Sequence, residues 1–311
     1  MYKVIDNVLA NPFLRSQDDV LFANTVKNQD LSITLLNFDF EGRKIERRHI
    51  TKVHEMKTKE QIVENWLPRY TGLPLDAFGE YILLTNFDNY VIKFAEWNNT
   101  EVHGKDRAMR SATANGITII NFGMGSPNAA TIVDCLSAVK PKGCLFLGKC
   151  GGLKKKNALG DFILPIAAIR GEGTSNDYFP PEVPALPAFA LQKAISTTIR
   201  DYNQDYWTGT VYTTNRRVWE WDEHFKEYLV KIRAMAIDME TATIFSTAFY
   251  NEIPAGALLM VSDQPMVPDG VKTEASDKVV TASYVDLHLK IGIDSLRQLI
   301  NKGVTVKHLL Y

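Results

Sequence analysis

The sequence has little of what marks a metal, membrane or nucleic-acid protein. Three cysteines, Cys135, Cys144 and Cys150, occur in 311 residues. Their odd count and lack of metal-ligand spacing argue for reduced, structural thiols rather than a disulfide framework or a zinc site. The six histidines are scattered. No apolar run approaches the ~18 residues of a membrane span, and the N-terminus lacks a signal-peptide layout. The expectation is a soluble cytoplasmic protein. An excess of charge of one sign is also missing, with Lys+Arg at 35 against Asp+Glu at 36 and a formal net charge of -1. Such balance gives no electrostatic case for nucleic acid or an anionic membrane as the main partner. Internal repeats and low-complexity segments are absent.

What is present is ordinary for a globular protein, with 45% hydrophobic and 23% charged residues. The length suits one large α/β domain or two smaller ones. Residues 1–70 read as an appendage, with a strand at Leu31–Phe38, a basic hairpin from Arg43 to His49, and a short helix opened by Thr58 and Gln61 and running through Trp66. Thr71-Gly-Leu-Pro74 punctuates the boundary, and residues 71–311 read as a second, larger domain. There, Tyr81–Thr85 and Ile117–Phe122 are short and almost wholly apolar, as buried strands should be. Strands at Leu145–Gly148, Phe162–Ile166 and Gly209–Thr213 follow. They alternate with helices at about Ala188–Tyr202, Asp222–Arg233 and Asp277–Asn301. This β–α alternation predicts a parallel or mixed sheet covered by helices.

Two junctions carry acids. Ala236-Ile-Asp-Met-Glu-Thr-Ala242 runs from a strand into a helix, with Asp238 and Glu240 at the turn. Ala255–Val261 is a second apolar run, ending on Ser262 and Asp263. Ligands of open α/β sheets bind where strands end, although strand-end carboxylates also serve as helix caps. Other strand exits add polar groups. Gly123-Met-Gly-Ser-Pro-Asn128 offers Gly123 for close backbone approach, but it lacks the third glycine of a dinucleotide fingerprint. Gly148-Lys-Cys-Gly-Gly152, with Lys149 and Gly151, is not a P-loop; its N–H groups suit an anion or sugar. Thr213-Thr-Asn-Arg-Arg217 supplies Arg216 and Arg217 for phosphate, and Trp219 supplies a face for a base. Arg170, in Arg170-Gly-Glu-Gly-Thr-Ser175, adds a further cation.

In order and spacing, Gly123-Met-Gly-Ser-Pro127, Gly148-Lys-Cys-Gly-Gly-Leu153, Asp238-Met-Glu-Thr-Ala242 and Ser262-Asp-Gln-Pro265 resemble the motifs of the nucleoside phosphorylase/nucleosidase superfamily. Tyr70-Thr-Gly, Leu84-Thr-Asn86, Gly209–Thr214, Trp219-Glu220 and His288–Ile293 look like its AMP nucleosidase branch. The resemblance covers residues 70–302. It implies an α/β three-layer fold with a central mixed β-sheet flanked by helices. It also implies N-glycosidic bond cleavage and a homo-oligomer, with hexamers among the family's assemblies. Residue by residue, it implies that Asp263 is the acid facing purine N7, that Glu240 holds ribose hydroxyls, and that Met239 packs on the sugar. Asp238 reads as structural.

Departures from the wider superfamily bear on the nucleophile. Phosphorylases of this group typically carry an arginine and a hydroxyl residue where this chain has Phe146 and Lys149, and a Gly-Asp-Pro loop where it has Thr85-Asn-Phe-Asp88. Phe cannot replace a bidentate phosphate ligand. Water is therefore the expected nucleophile, with Asp88 or Asn86 as candidates from position alone to activate it, and Arg216, Arg217 and Lys149 are left for the 5′-phosphate of AMP. The expected reaction is AMP + water → adenine + ribose 5-phosphate, without metal or organic cofactor. The alternatives are a phosphate-dependent purine nucleoside phosphorylase and a nucleotide-binding sensor without turnover.

Overall fold

The computed structural model describes residues 20–27, 30–38, 44–50 and 56–302. The chain divides into two units between Thr58 and Lys59. In the first, β1 (Val20–Lys27), β2 (Asp30–Phe38) and β3 (Lys44–Ile50) form an antiparallel sheet in that order. The basic segment lies along β3 apart from Arg43, which is outside the described residues.

The second unit begins with α1 (Lys59–Thr71), read from the sequence as the end of the appendage. Val63 and Leu67 of this helix are buried, and Lys59 donates to Asp134 and Asn251 of the same unit. After it come β4 (Tyr81–Thr85), α2 (Asp88–Asn98), β5 (Ser111–Ala114), β6 (Ile117–Asn121), α3 (Ser126–Leu136), β7 (Gly143–Gly152) and β8 (Phe162–Gly171). The remainder is α4 (Phe189–Asp201), β9 (Tyr206–Thr214), α5 (Glu223–Lys231), β10 (Ala236–Asp238), α6 (Thr241–Tyr250), β11 (Ala255–Asp263) and α7 (Glu274–Lys302).

Eight strands form one mixed sheet in the order β10-β9-β8-β11-β7-β4-β6-β5. Alternate residues of the central strands feed two cores. Ile82, Leu84, Ile120 and Phe146 pack with Leu67 of α1, Ile132 of α3 and Phe245 of α6. Leu83, Ile119, Leu145 and Leu147 pack with Phe94 of α2, Ile195 of α4 and Leu289 of α7. Burial on both faces explains why these strands are apolar throughout rather than alternating. The result is the expected three-layer α/β fold. Among the described residues no helix is long and apolar enough to cross a membrane.

One expectation needs correction. Gly148–Gly152 is not a loop after a strand; β7 runs on through Gly152. Its last residues pair with β11 on one side and, antiparallel, with Ala236 and Ile237 of β10 on the other. That second pairing closes β10, β9, β8, β11 and β7 into a ring. The glycines are needed here because the strands crowd. A Cβ on Gly151 would lie 3.1 Å from Ile237 and 3.2 Å from the Asp263 carboxylate.

Candidate active site

Ring closure brings the ends of β4, β7, β9, β10 and β11 around one cavity. Asp263, Glu240, Met239, Lys149, Gly151, Arg216, Arg217 and Trp219 all line it. Asn86, Phe87, Met124, Glu220, Asp238, Ser262 and Lys272 complete most of the wall. Gly123 and Arg170 are not brought to it.

The three acids differ in their bonding. Asp238 is buried, and it accepts from Thr213 Oγ1 (2.8 Å), the Thr241 backbone N–H (2.8 Å) and the Thr241 hydroxyl. It fixes the start of α6 and ties β9 to β10, which is the helix-capping use of a strand-end acid. Glu240 is also buried, but its carboxylate turns away from the helix. Oε1 accepts the Gly125 N–H at 2.8 Å, and Oε2 accepts the Met239 N–H at 3.3 Å. Gly125 reaches it with φ +93°, a conformation L side chains rarely adopt, and Ser126 Oγ donates to the Met239 carbonyl at 2.6 Å. The glycine turn after β6 is therefore a clamp on residues 239–240, and Gly125 rather than Gly123 makes the bond.

Burial pushes the Glu240 carboxyl up, and the neighbouring Asp238 charge adds to the shift; burial raises Asp238 too. Asp263 ends β11 beside Gly151 and takes a 2.7 Å hydrogen bond from Ser262 Oγ. Burial raises its carboxyl, against lowering by that hydroxyl and by the Lys272 and Arg217 charges. A carboxyl that keeps its proton above the usual range can donate that proton to a leaving group.

The cations occupy distinct settings. Arg216 pairs with Asp222 at 2.8 Å and lies over the Phe225 ring. Arg217 pairs with Glu220 at 3.1 Å and acts on Asp263. Lys149 sits over the Phe87 ring at 4.6 Å and donates to Thr281 Oγ1 at 2.9 Å. Lys272 joins them from the segment after β11. No periodicity or motif in the sequence singled it out, and only the return of that segment over Asp263 reveals it. Trp219 is both cavity wall and core, packed with Tyr212, Leu229 and Ile237.

Arg170 has another task. Its guanidinium donates to Ser175 Oγ, Asn176 Oδ1 and the carbonyls of Ser175, Phe179, Pro180 and Val183. It holds the loop after β8 in shape. Hydrogen bonds to a charged group contribute about 1.5–3 kcal/mol each where they are buried, and less where water competes. Arg170→Ala is expected to lower unfolding free energy by about 2–3 kcal/mol in urea denaturation. A loss below about 0.5 kcal/mol, the range of ordinary surface changes, would contradict this role.

Asp88 is also held elsewhere, paired with Arg110 at 2.8 Å and accepting from Asn121 at 2.7 Å. Of the two residues considered for the water, Asn86 lines the cavity. Phe146 is fully buried against Phe122, so the place of the absent arginine is core. Cys135, Cys144 and Cys150 are free and buried, with thiols pushed up by burial. Among the described residues no group of three or more His, Cys, Asp or Glu is placed to hold a metal ion.

Comparison with known proteins gives three findings. The model of the phosphorylase superfamily matches residues 77–294. The solved AMP nucleosidase of Bacteroides thetaiotaomicron is 54% identical, with a TM-score of 0.71, covering 79% of this chain and 99% of that one. The AMP nucleosidase of Escherichia coli K12 is 29% identical over 283 residues, which is 76% of this chain. This chain spans 58% of the length of that relative. Matched over most of its second unit, the chain belongs to the phosphorylase superfamily.

Proposed function

We propose that this protein hydrolyses the N-glycosidic bond of AMP to adenine and ribose 5-phosphate. The observation that carries the reading is the pair of carboxyls, Asp263 and Glu240, held with different partners in one cation-lined cavity. Cleavage produces an oxocarbenium-like ribose and an anionic purine. Asp263, its proton retained by burial, protonates N7 and neutralises the leaving base. Glu240 binds ribose hydroxyls and stabilises the positive charge developing on the sugar, a division of labour between two acids also found in glycoside hydrolysis. Met239 packs on the ribose, and Lys149, Arg216 and Arg217 hold the 5′-phosphate. Placement in the cytoplasm, assembly as a homo-oligomer and action without a cofactor belong to the same reading.

Two features favour water over phosphate as the nucleophile. Phe146 lies in the core and offers no donor to an anion, and the 54% identical neighbour is an AMP nucleosidase. The test is chromatography of purified protein with AMP, adenosine and inosine, each with and without phosphate. Adenine release from AMP without phosphate is the expected result. Reaction of nucleosides only when phosphate is present would establish a phosphorylase. Tight AMP binding without product would establish a sensor. Arg217→Ala is expected to raise KM for AMP about tenfold, the loss of one charge-assisted hydrogen bond. KM for adenosine should change little, and equal changes on both substrates would remove Arg217 from the phosphate site.

A further inference from the structure

β11 ends on an irregularity. Val261 pairs with Cys150 of β7 and Asp263 with Gly151, so Ser262 is one residue more than the partner strand matches. The other edge is held too. The Val261 N–H donates to the Asp161 carbonyl, and the Val261 carbonyl accepts the Gly160 N–H, both at 2.9 Å. Successive side chains of a regular strand point to opposite faces, and a bulge re-aims one of them. Here it brings two neighbours together. Ser262 Oγ donates to Asp263 Oδ1 at 2.7 Å, and both residues line the cavity.

That bond makes the two oxygens of Asp263 unequal. Ser262 is buried and has one hydroxyl proton to give. Its other acceptor, the Cys150 carbonyl, is 3.4 Å away, beyond the ~3.0 Å usual for O–H···O. The proton therefore belongs to Oδ1. The reverse arrangement, with a carboxyl proton on Oδ1 aimed at Ser262, would send the serine proton to that distant carbonyl. The acid proton of Asp263 is left to Oδ2. A Cβ on Gly151 would lie 3.2 Å from Oδ2, so the glycine, itself cavity wall, leaves room beside that oxygen.

Resting on the hydrolytic reading, we propose that Ser262 is a positioning residue for the acid, its hydroxyl holding Asp263 Oδ1 so that the proton for N7 sits on Oδ2. In the reaction the Oδ2–H bond breaks, the proton goes to N7, and the C1′–N9 electron pair leaves with adenine. The water oxygen bonds to C1′ and its spare proton passes to solvent, from which Asp263 is later reprotonated. Ser262 keeps its own proton throughout. It bonds a neutral carboxyl before the transfer and a carboxylate after it, and charge-assisted hydrogen bonds are roughly twice as strong. The interaction therefore grows toward the transition state, and an interaction of that kind raises kcat. Other groups face the same carboxyl. Lys272 from the segment after β11 and Arg217 from the segment after β9 lower it, and Glu220 raises it. Asp238 on β10 and the neutral Cys150 thiol on β7 border it from the sheet. A change at Ser262 alters none of these.

The experiment compares Ser262→Ala with wild type on AMP across pH. Wild-type adenine release is measured first, because its absence would overturn the hydrolytic reading itself. The Ser262 bond is then still tested by NMR titration of the Asp263 carboxyl carbon, which needs no turnover. With active wild type, kcat should fall about tenfold, the loss of one charge-assisted bond. KM should stay within about threefold, and the alkaline limb of kcat/KM should move to higher pH. The sign follows from the donor, since the Ser262 hydroxyl lowers the Asp263 carboxyl and its removal raises it. A fall in kcat with the limb unmoved would mark a merely structural loss and overturn the proposal, as would an unchanged or raised kcat. An Asp263 titration midpoint equal in both proteins would overturn it as well. If Ser262→Ala does not fold, Ser262→Gly carries the same comparison.

Discussion

Asp263→Asn is expected to slow adenine release from AMP by about 10²–10⁴-fold, the usual contribution of a general acid. KM for AMP should stay within a few-fold, because the proton is needed at N7 chiefly in the transition state. Asn fills the same volume and still accepts the Ser262 hydroxyl through its carbonyl oxygen. The fold at the end of β11 should therefore survive, and the defect should be chemical. The pH profile gives an independent reading. Burial raises the Asp263 carboxyl, so the wild-type enzyme keeps the acid form to a higher pH than an exposed Asp would. Wild-type kcat/KM should fall as pH rises through that pKa, and Asp263→Asn should lack that limb. Full activity in the variant, or the same alkaline limb, would reject Asp263 as the acid.

Glu240→Gln is expected to be nearly as damaging, although it is nominally conservative. The backbone N–H groups of Gly125 and Met239 fall on different oxygens of this carboxylate. A glutamine offers one oxygen and one NH2, so at least one donor meets another donor in a buried place. Each such mismatch costs about 1–3 kcal/mol. The misplaced sugar that follows should lower kcat/KM by about 10²-fold. The variant should also change how stability depends on pH. In wild type, Glu240 and Asp238 bind protons more tightly folded than unfolded. Their contribution is most favourable below the ordinary carboxylate pKa of about 4. It is progressively lost as pH rises toward their folded values. Glu240→Gln removes one of these groups and relieves the repulsion on the other, so the decline over that interval should flatten. Urea denaturation across the acid-to-neutral range measures this, and an unchanged slope would mean that Glu240 is not shifted by burial.

Much of the architecture was legible in the sequence because buried central strands leave an unambiguous pattern. Tyr81–Thr85 was read to the residue, and the acids at 238, 240 and 263 were placed at strand ends where they stand. The glycines were harder to read. A glycine run after an apolar segment signals a turn, yet Gly148–Gly152 continues β7, because small residues also allow close strand packing. Arg170 resembled a site cation by its position after a strand. It turned inward because its own loop offers carbonyl oxygens that its fork can reach. In both cases the local sequence permits two outcomes, and contacts distant in the chain select one.

By itself the sequence determined a parallel or mixed sheet covered by helices and the presence of acids at two strand ends, since both follow from which residues are apolar and where the runs stop; the three-layer fold came from the family resemblance. Tertiary structure decided that Asp238 is occupied by Thr213 and Thr241, while Glu240 and Asp263 take other partners in the same cavity wall. The closing pair of β10 with the end of β7 assembles that cavity. It also decided that Lys272 and Asn86 belong there. Hydrogen-bond satisfaction and burial depend on neighbours that can be a hundred or more residues away along the chain, and no local pattern encodes them.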